Sequence, residues 1–340
     1  MSTLPAVSVV IPTTGTRPSF LQRAIASALA GMPAGSVEVI VVGNGMAATD
    51  ALDLGETDGN PHVRVLRVAQ AQANLARNAG LEVALGEYVR FLDDDDFLEP
   101  GAVAQYPAMQ AAAADICTGS VHFVDADEHV HGGYSPLPGH DFVVEIFRQR
   151  ASTLPVAHVF RRAFLATARW DPARPYLQDV DWMHGLMRRG EMNWLPMQVV
   201  VGAWRHHPGA RISVDHARRS NHDALKQAAS IIEASVDSLG RTGRLDAMRN
   251  GAAAKALWDY AHQGFAYSPI HWQHIAAKAR ALDPSSRPAN PRFNSFPLRL
   301  LNPLLLEWTL YPVRAVARVL ASWAAFGRHP CWALDSRRSQ

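Results

Sequence analysis

Residues 87–100 read EYVRFLDDDDFLEP, and this stretch decides what kind of sheet the chain builds. Glu87 to Leu92 is a short, largely apolar run of strand-forming residues, and four carboxylates follow it at once. Phe97 and Leu98 then return the chain to apolar surroundings. At an effective dielectric of ~20, two unit charges about 4 Å apart repel by roughly 4 kcal/mol. Apolar anchors on both sides keep the run from spreading into solvent, so it demands positive charge from elsewhere.

Towards the N-terminus the pattern alternates between two periods. Val7 to Ile11 is a β-branched run ended by Pro12, which reads as a buried strand. Leu21, Ala24, Ile25, Ala28 and Leu29 recur at helical spacing, closed by Gly31 and Pro33. Val37 to Val42 is a second strand ending in Gly43-Asn44-Gly45, and His62 to Val68 alternates like a half-exposed third. Ala71 to Leu85 is helical, with Gly86 as its stop. Strand-helix-strand alternation predicts an α/β fold, a mostly parallel sheet sandwiched by helices. Ligands of such sheets bind beyond the carboxyl ends of the strands, where VVGNG and FLDDDD both lie.

Beyond the acidic run, Asp115 to Asp125 reads as a strand and His129 to His140 as a Gly/Pro-rich loop. Asp179 to Arg189 is a helix stopped by Gly190, and Met197 to Trp204 another strand. After about residue 215 the pattern is helical, clearest in Ala224–Leu239 and Gly251–Gln263, with Asp283 to Pro297 as a linker.

Composition excludes several classes. The 33 basic and 31 acidic residues leave a net charge of +2, so nothing pulls the chain towards nucleic acid. Cys117 and Cys331, the two cysteines, make no disulfide framework and fit a reducing compartment. The N-terminus lacks a basic segment before a long apolar one, and no uninterrupted apolar run reaches about 18 residues. The expected location is cytoplasmic. No GxxxxGK[ST] phosphate loop is present, and Gly43-Asn44-Gly45 is a bare GxG.

If the run stays extended, Asp93 and Asp95 point to one side and Asp94 and Asp96 to the other. Hard oxygen donors in such number suit Mg²⁺ or Mn²⁺ with substrate phosphates. The plainer reading is a solvated turn, or the acidic N-terminus of a helix starting at Phe97. An EF-hand loop is excluded, since Phe97 takes the fifth position and no glycine follows at the sixth.

The segments VSVVIPTTGTRPSFLQRAIASAL, EVIVVGNG, ARNAGLEVALGEYVRFLDDDD and LQDVDWMHGLMRRG, in this order, resemble the family 2 glycosyltransferases of the GT-A fold. The resemblance runs over about residues 5 to 215 and implies a GT-A domain over 1–220, followed by a C-terminal helical region over 221–340. It implies transfer of a sugar from a nucleoside diphosphate sugar to a hydroxyl of a glycan or lipid-linked acceptor, with Mn²⁺ or Mg²⁺ and with inversion. Bacterial polysaccharide or glycolipid assembly is the setting implied. Two rivals stand beside it: a nucleotidyltransferase on a similar sheet, and a degenerate member that binds a nucleotide or glycan without turnover.

By position, the resemblance places Asp93, Asp94 and Asp95 around the nucleotide sugar and its cation. Asp95 and Asp93 become metal ligands, and Asp94 lies near the ribose or sugar. Pro12 and Thr13 match a nucleotide-contacting position, and Arg77 a basic residue near the nucleobase and diphosphate. Without the family, Arg77 reads as an ordinary helix-surface cation. Gln178-Asp179 aligns with a Glu-Asp pair whose Asp is the catalytic base; the alternative for Asp179 is a helix N-cap, a role that suits Asp181 better. In WRHHPGARIS, His207 becomes a metal or diphosphate contact and Arg211 a diphosphate partner. Two departures fall in the nucleobase pocket: Thr14-Gly15 replaces an aromatic residue, and Asn44 stands where the family carries acids, able to donate to and accept from a base edge.

Residues 299–340 hold six arginines against Glu307 and Asp335. A helix is expected from Pro312, with Val313, Val316, Ala317, Leu320, Trp323 and Ala324 on one face and Arg314, Arg318 and Ser322 opposite. Such a basic amphipathic tail either lies on an anionic membrane surface or packs its stripe on protein, the catalytic domain or a second subunit of an oligomer.

Overall fold

The computed structural model describes residues 4–33, 35–139, 141–148, 150–207 and 221–326. It divides into two compact units, Met1–Arg219 with Glu233–Arg244, and Ser220–Ile232 with Leu245–Gln340.

Among the described residues, the first unit is built on a nine-stranded sheet. Strands β1 (Val7–Thr13), β2 (Val37–Asn44), β3 (Val63–Val68) and β4 (Tyr88–Phe91) pair in parallel in the order β3-β2-β1-β4. Beyond β4 the order continues β8 (His158–Arg161), β6 (Ile116–Val124), β9 (Trp194–Arg205) and β5 (Phe97–Leu98), with β7 (Val130–Tyr134) on β6. There β4–β8, β6–β8, β5–β9 and β6–β7 are antiparallel and β6–β9 is parallel.

Side-chain alternation explains the layers. Val9 and Ile11 of β1, with Val39 and Val41 of β2, join one core with Leu21, Ala24, Ile25 and Ala28 of α1 (Pro18–Leu29) and Tyr106 and Met109 of α3 (Ala102–Ala112). Val10 points to the other face, against α2 (Ala73–Val83). Because both faces are covered, β1 and the core of β2 are buried along their whole length, and they read as continuous apolar runs. Two glycines of the ARNAGLEVALGEYV segment permit this closeness. A Cβ on Gly80 would lie 2.4 Å from Val10 Cγ1, and one on Gly86 would lie 2.6 Å from the Ser8 backbone nitrogen.

Several expectations are corrected. Within His129–His140 the chain forms β7, because Gly132 and Gly133 let an exposed hairpin arm lie close along β6; its outward side chains carry no alternation to reveal it. Phe97 opens the short strand β5 rather than a helix. The Asp283–Pro297 segment is packed: Phe293 is buried, and Arg287 donates to the carbonyls of Phe293 and Leu298 at 2.9 and 3.1 Å.

The second unit contains the Ala247–Gly264, Pro269–Leu282 and Pro303–Phe326 helices, packed around Trp258, Phe265 and Trp272. The last helix begins nine residues earlier than expected and runs through Pro312. The side chains of Ser322, Trp323 and Ala324 lie outside the described residues. No described helix is long and apolar enough to cross a membrane.

Candidate active site

The parallel half of the sheet sets out the site. Register pairs Val10 of β1 with Phe91 of β4, so the last residues of β1 run past the end of β4. Thr13 and the residues after it therefore come to lie beside the acidic run. A cavity of about 510 Å³ opens there, lined among others by Pro12, Thr13, Arg17, Asn44, Arg77, all four aspartates, Gln178 and Asp179.

Leu92 is the last residue held to β1, its N–H donating to Val10 O at 3.0 Å. The chain then turns, with Asp96 N donating to Asp93 O at 3.1 Å. The expected division by strand alternation therefore does not apply, because the four residues form a turn and all line one cavity. Burial divides them instead: Asp94 and Asp96 are buried, Asp93 and Asp95 partly open. One oxygen of Asp96 is committed to structure, accepting from Arg205 N at 2.9 Å.

The countercharge is an arginine on which the sequence reading placed no role. Arg17, the residue before α1, gives Nη2 to Asp94 Oδ1 at 2.5 Å and Nη1 to Asp95 Oδ2 at 2.8 Å. The same Nη1 lies 3.0 Å from His207 Nε2, which is itself 3.0 Å from Asp95 Oδ2. Thr13 Oγ1 donates to the other oxygen of Asp94 at 2.5 Å. Burial pushes the Asp94 carboxyl up to about 6, against the pull of Arg17 and Thr13. A cation at the carboxyl end of β1, next to an acidic β4 end, was the available signal for Arg17.

Arg77 is not the surface cation of the plain reading. It is buried on α2 beneath Trp170, with its guanidinium carbon 4.6 Å from the ring centre. Its Nη2 donates to Asp93 Oδ1 at 2.7 Å, and its Nη1 to Asn74 Oδ1 and Gln178 Oε1, both at 2.9 Å. Since Gln178 is neutral, Asp93 is the carboxylate that compensates this charge, and the guanidinium keeps its field directed at the cavity. Trp170 also stacks face to face on Trp182 at 4.6 Å, and Phe91 sets its edge against both rings. That aromatic block fixes α4 (Gln178–Arg189) over the end of β4.

Leu177, in the left-handed conformation, occupies the N-cap of α4, so neither Asp179 nor Asp181 is the N-cap. Both lie in the first turn. Asp181 faces Arg174 at 3.3 Å. Asp179 Oδ2 accepts from Thr153 Oγ1 at 2.9 Å, a partner that no motif announced. Burial raises the Asp179 carboxyl above the usual range, opposed by the Thr153 hydroxyl and the Val180 amide. A desolvated carboxylate of this kind is a stronger base than one in water.

Asn44 closes the β2–α2 connection, its Oδ1 accepting from Gln72 N at 2.5 Å, and it lines the cavity. Arg211 lies outside the described residues. For a divalent cation the donor chemistry fits: Asp93, Asp95 and Asp96 each bring one carboxylate oxygen within 4.8 Å of the others, and no thiolate lies among them.

Residues 8–168 match the family model described as Glycosyl transferase family 2. The chain is 39% identical over 67 residues to the uncharacterized glycosyltransferase YibD of Escherichia coli, covering 19% of each chain. It is 25% identical over 186 residues to the putative glycosyltransferase EpsH of Bacillus subtilis, 52% of this chain and 53% of that one. The matches thus span about a fifth and about half of the lengths of these relatives. In structure, the chain is similar to S. aureus TarS 1-349 in complex with UDP-GlcNAc, with a TM-score of 0.58 at 16% identity, covering 80% of this chain and 79% of that one. Over residues 8–168 the chain therefore resembles the family 2 glycosyltransferases, and its sheet with flanking helices is of the GT-A type.

Proposed function

We propose that this protein is a glycosyltransferase that moves a sugar from a nucleoside diphosphate sugar to a hydroxyl acceptor, inverting the anomeric centre. The observation that carries the reading is Arg77, which grips Asp93 of the acidic turn and Gln178 beside Asp179 at once. A charge-binding end and the half-buried Asp179 carboxylate thereby share one cavity. The UDP-GlcNAc complex of a protein with a similar fold supports a nucleotide sugar as donor.

The chain's own groups divide the work. The Asp179 carboxylate accepts the proton of the acceptor hydroxyl as its oxygen attacks the anomeric carbon. The bond from that carbon to the diphosphate oxygen breaks, and the nucleoside diphosphate leaves with the electron pair. Arg77 and Arg17 face the charge that grows on the leaving group. Asp93 and Asp95, with His207, would hold a Mn²⁺ or Mg²⁺ ion, which when bound supplies further neutralisation of the diphosphate. Asn44, which lines the cavity, would meet the base edge. The acceptor class we infer is a glycan or lipid-linked hydroxyl, as in polysaccharide or glycolipid assembly.

Thermal-shift titration with nucleoside diphosphates and their sugars, with and without Mn²⁺, tests this. At least one nucleotide should stabilise the protein in a metal-dependent way; no such stabilisation across the panel would refute the reading.

A further inference from the structure

The Pro303–Phe326 helix ties its charged side chains back to its own unit. Glu307 is fully buried, where it receives Arg314 at 2.6 Å and pairs with His262. Arg314 also donates to the His262 carbonyl. Arg318 gives Nε to Ala266 O at 3.2 Å and lies over the Tyr267 ring at 5.0 Å. These groups are spent on the helix's own unit, and its other side is left apolar. Val313, Val316 and Leu320 are 70%, 59% and 63% exposed, and with exposed Leu305 they recur at helical intervals along one side. From Leu305 to Leu320 that stripe is about 22 Å long, and Phe296, Leu300 and Leu301, all exposed, precede it. This reverses the polarity of an ordinary surface helix, which turns its apolar side to the core.

We propose that this face docks on the surface of an anionic lipid bilayer, the helix lying in the interface and not spanning it. Charge decides the occupant. Glu307 is the single acid between Asp283 and Asp335, and it is buried, so this stretch of sequence brings arginines to the surface and no exposed acid. Arg292 and Arg299 are exposed just before the helix, and Arg328 follows it in sequence. A second copy seated on the same face would meet these arginines with arginines and no acids to pair them. Lipid phosphates meet them with the opposite sign, and acyl chains take the valines and leucines. Trp308, held at 2.9 Å to Gln273 Oε1, sits at the border of the stripe, where indoles favour the headgroup level.

Flotation of the full chain with vesicles of phosphatidylcholine alone, or with about one third phosphatidylglycerol, tests the proposal. The protein should float with the anionic vesicles and bind the neutral ones about ten-fold more weakly. Val316→Asp combined with Leu320→Asp should weaken binding ten-fold or more while the thermal midpoint stays unchanged. Arg299→Glu, on an exposed segment, should cost about five-fold on anionic vesicles and nothing on neutral ones. Failure to float with either vesicle overturns the proposal. So does a dimer in sedimentation that the double substitution dissociates, which would make the face a contact between copies.

Discussion

Arg17 and Asp94 form a 2.5 Å ion pair across 77 residues of sequence, at the carboxyl ends of neighbouring parallel strands. The guanidinium lies where a divalent cation on the same carboxylates would feel it directly. A unit charge and a divalent charge about 5 Å apart repel by several kcal/mol at an effective dielectric of ~20, less once solvent screens them. Replacing Arg17 by Gln should therefore tighten Mn²⁺ binding about ten-fold and weaken nucleoside diphosphate binding by a similar factor. Titration calorimetry near pH 8, where Asp94 is ionised, reads both; a loss of Mn²⁺ affinity would contradict the assignment.

Asp94 also predicts a pH signature of stability. Its carboxyl is raised from 3.8 to about 6 in the folded chain. Between those values the folded state binds a proton that the unfolded state lacks, so this contribution is full below about pH 4. It is lost as pH rises through about 6, an effect on the order of 3 kcal/mol. Asp94→Asn should remove that slope, seen as a difference in thermal midpoint between variant and parent that changes across this window and levels off on both sides.

For the reaction, Asp179→Asn should cut transfer by roughly 10²- to 10⁴-fold and leave donor affinity within about two-fold. Thr153→Val is the more telling change. The hydroxyl of Thr153 opposes the upward push of burial on Asp179, so its loss raises that carboxyl further. The acidic limb of the rate profile, followed by nucleoside diphosphate release, should move to higher pH with the plateau kept within about ten-fold. An unmoved limb would place the base elsewhere.

The close approach at Gly86 predicts a stability loss without a change in site chemistry. A Cβ there meets the backbone of Val7 and Ser8 at 2.7 and 2.6 Å, which cannot swing aside as a side chain can. Gly86→Ala should cost about 2–3 kcal/mol and several degrees of thermal midpoint. Gly190→Ala is the control: nothing lies within 4 Å, and its backbone is extended, so the midpoint should hold.

The parallel half of the fold was legible because burial on both faces writes β1 and β2 as unbroken apolar runs, and because helical spacing marks α1 between them. The acidic turn announced itself by concentration of charge. What stayed hidden was how such charges are met. Arg17 and Thr153 reach their partners across 77 and 26 residues, through register and turn geometry that no local pattern encodes. Arg90, a charge within the β4 run, is fully buried, donating to Val156 O at 3.2 Å and to Gln105. In the tail, periodicity separated the arginines from the valines, but only packing shows that Arg314 and Arg318 bond to carbonyls of their own unit.

The parallel stack of Trp170 on Trp182 gives the molecule an optical voice. Two indoles in nearly parallel planes, with ring centres 4.6 Å apart, couple their electronic transitions, and Arg77 lies over one of them. Any diphosphate that draws Arg77 towards itself alters the field on that ring. Near-ultraviolet circular dichroism of the unlabelled protein should then report donor binding directly, and Trp182→Phe should silence the signal while the donor still binds.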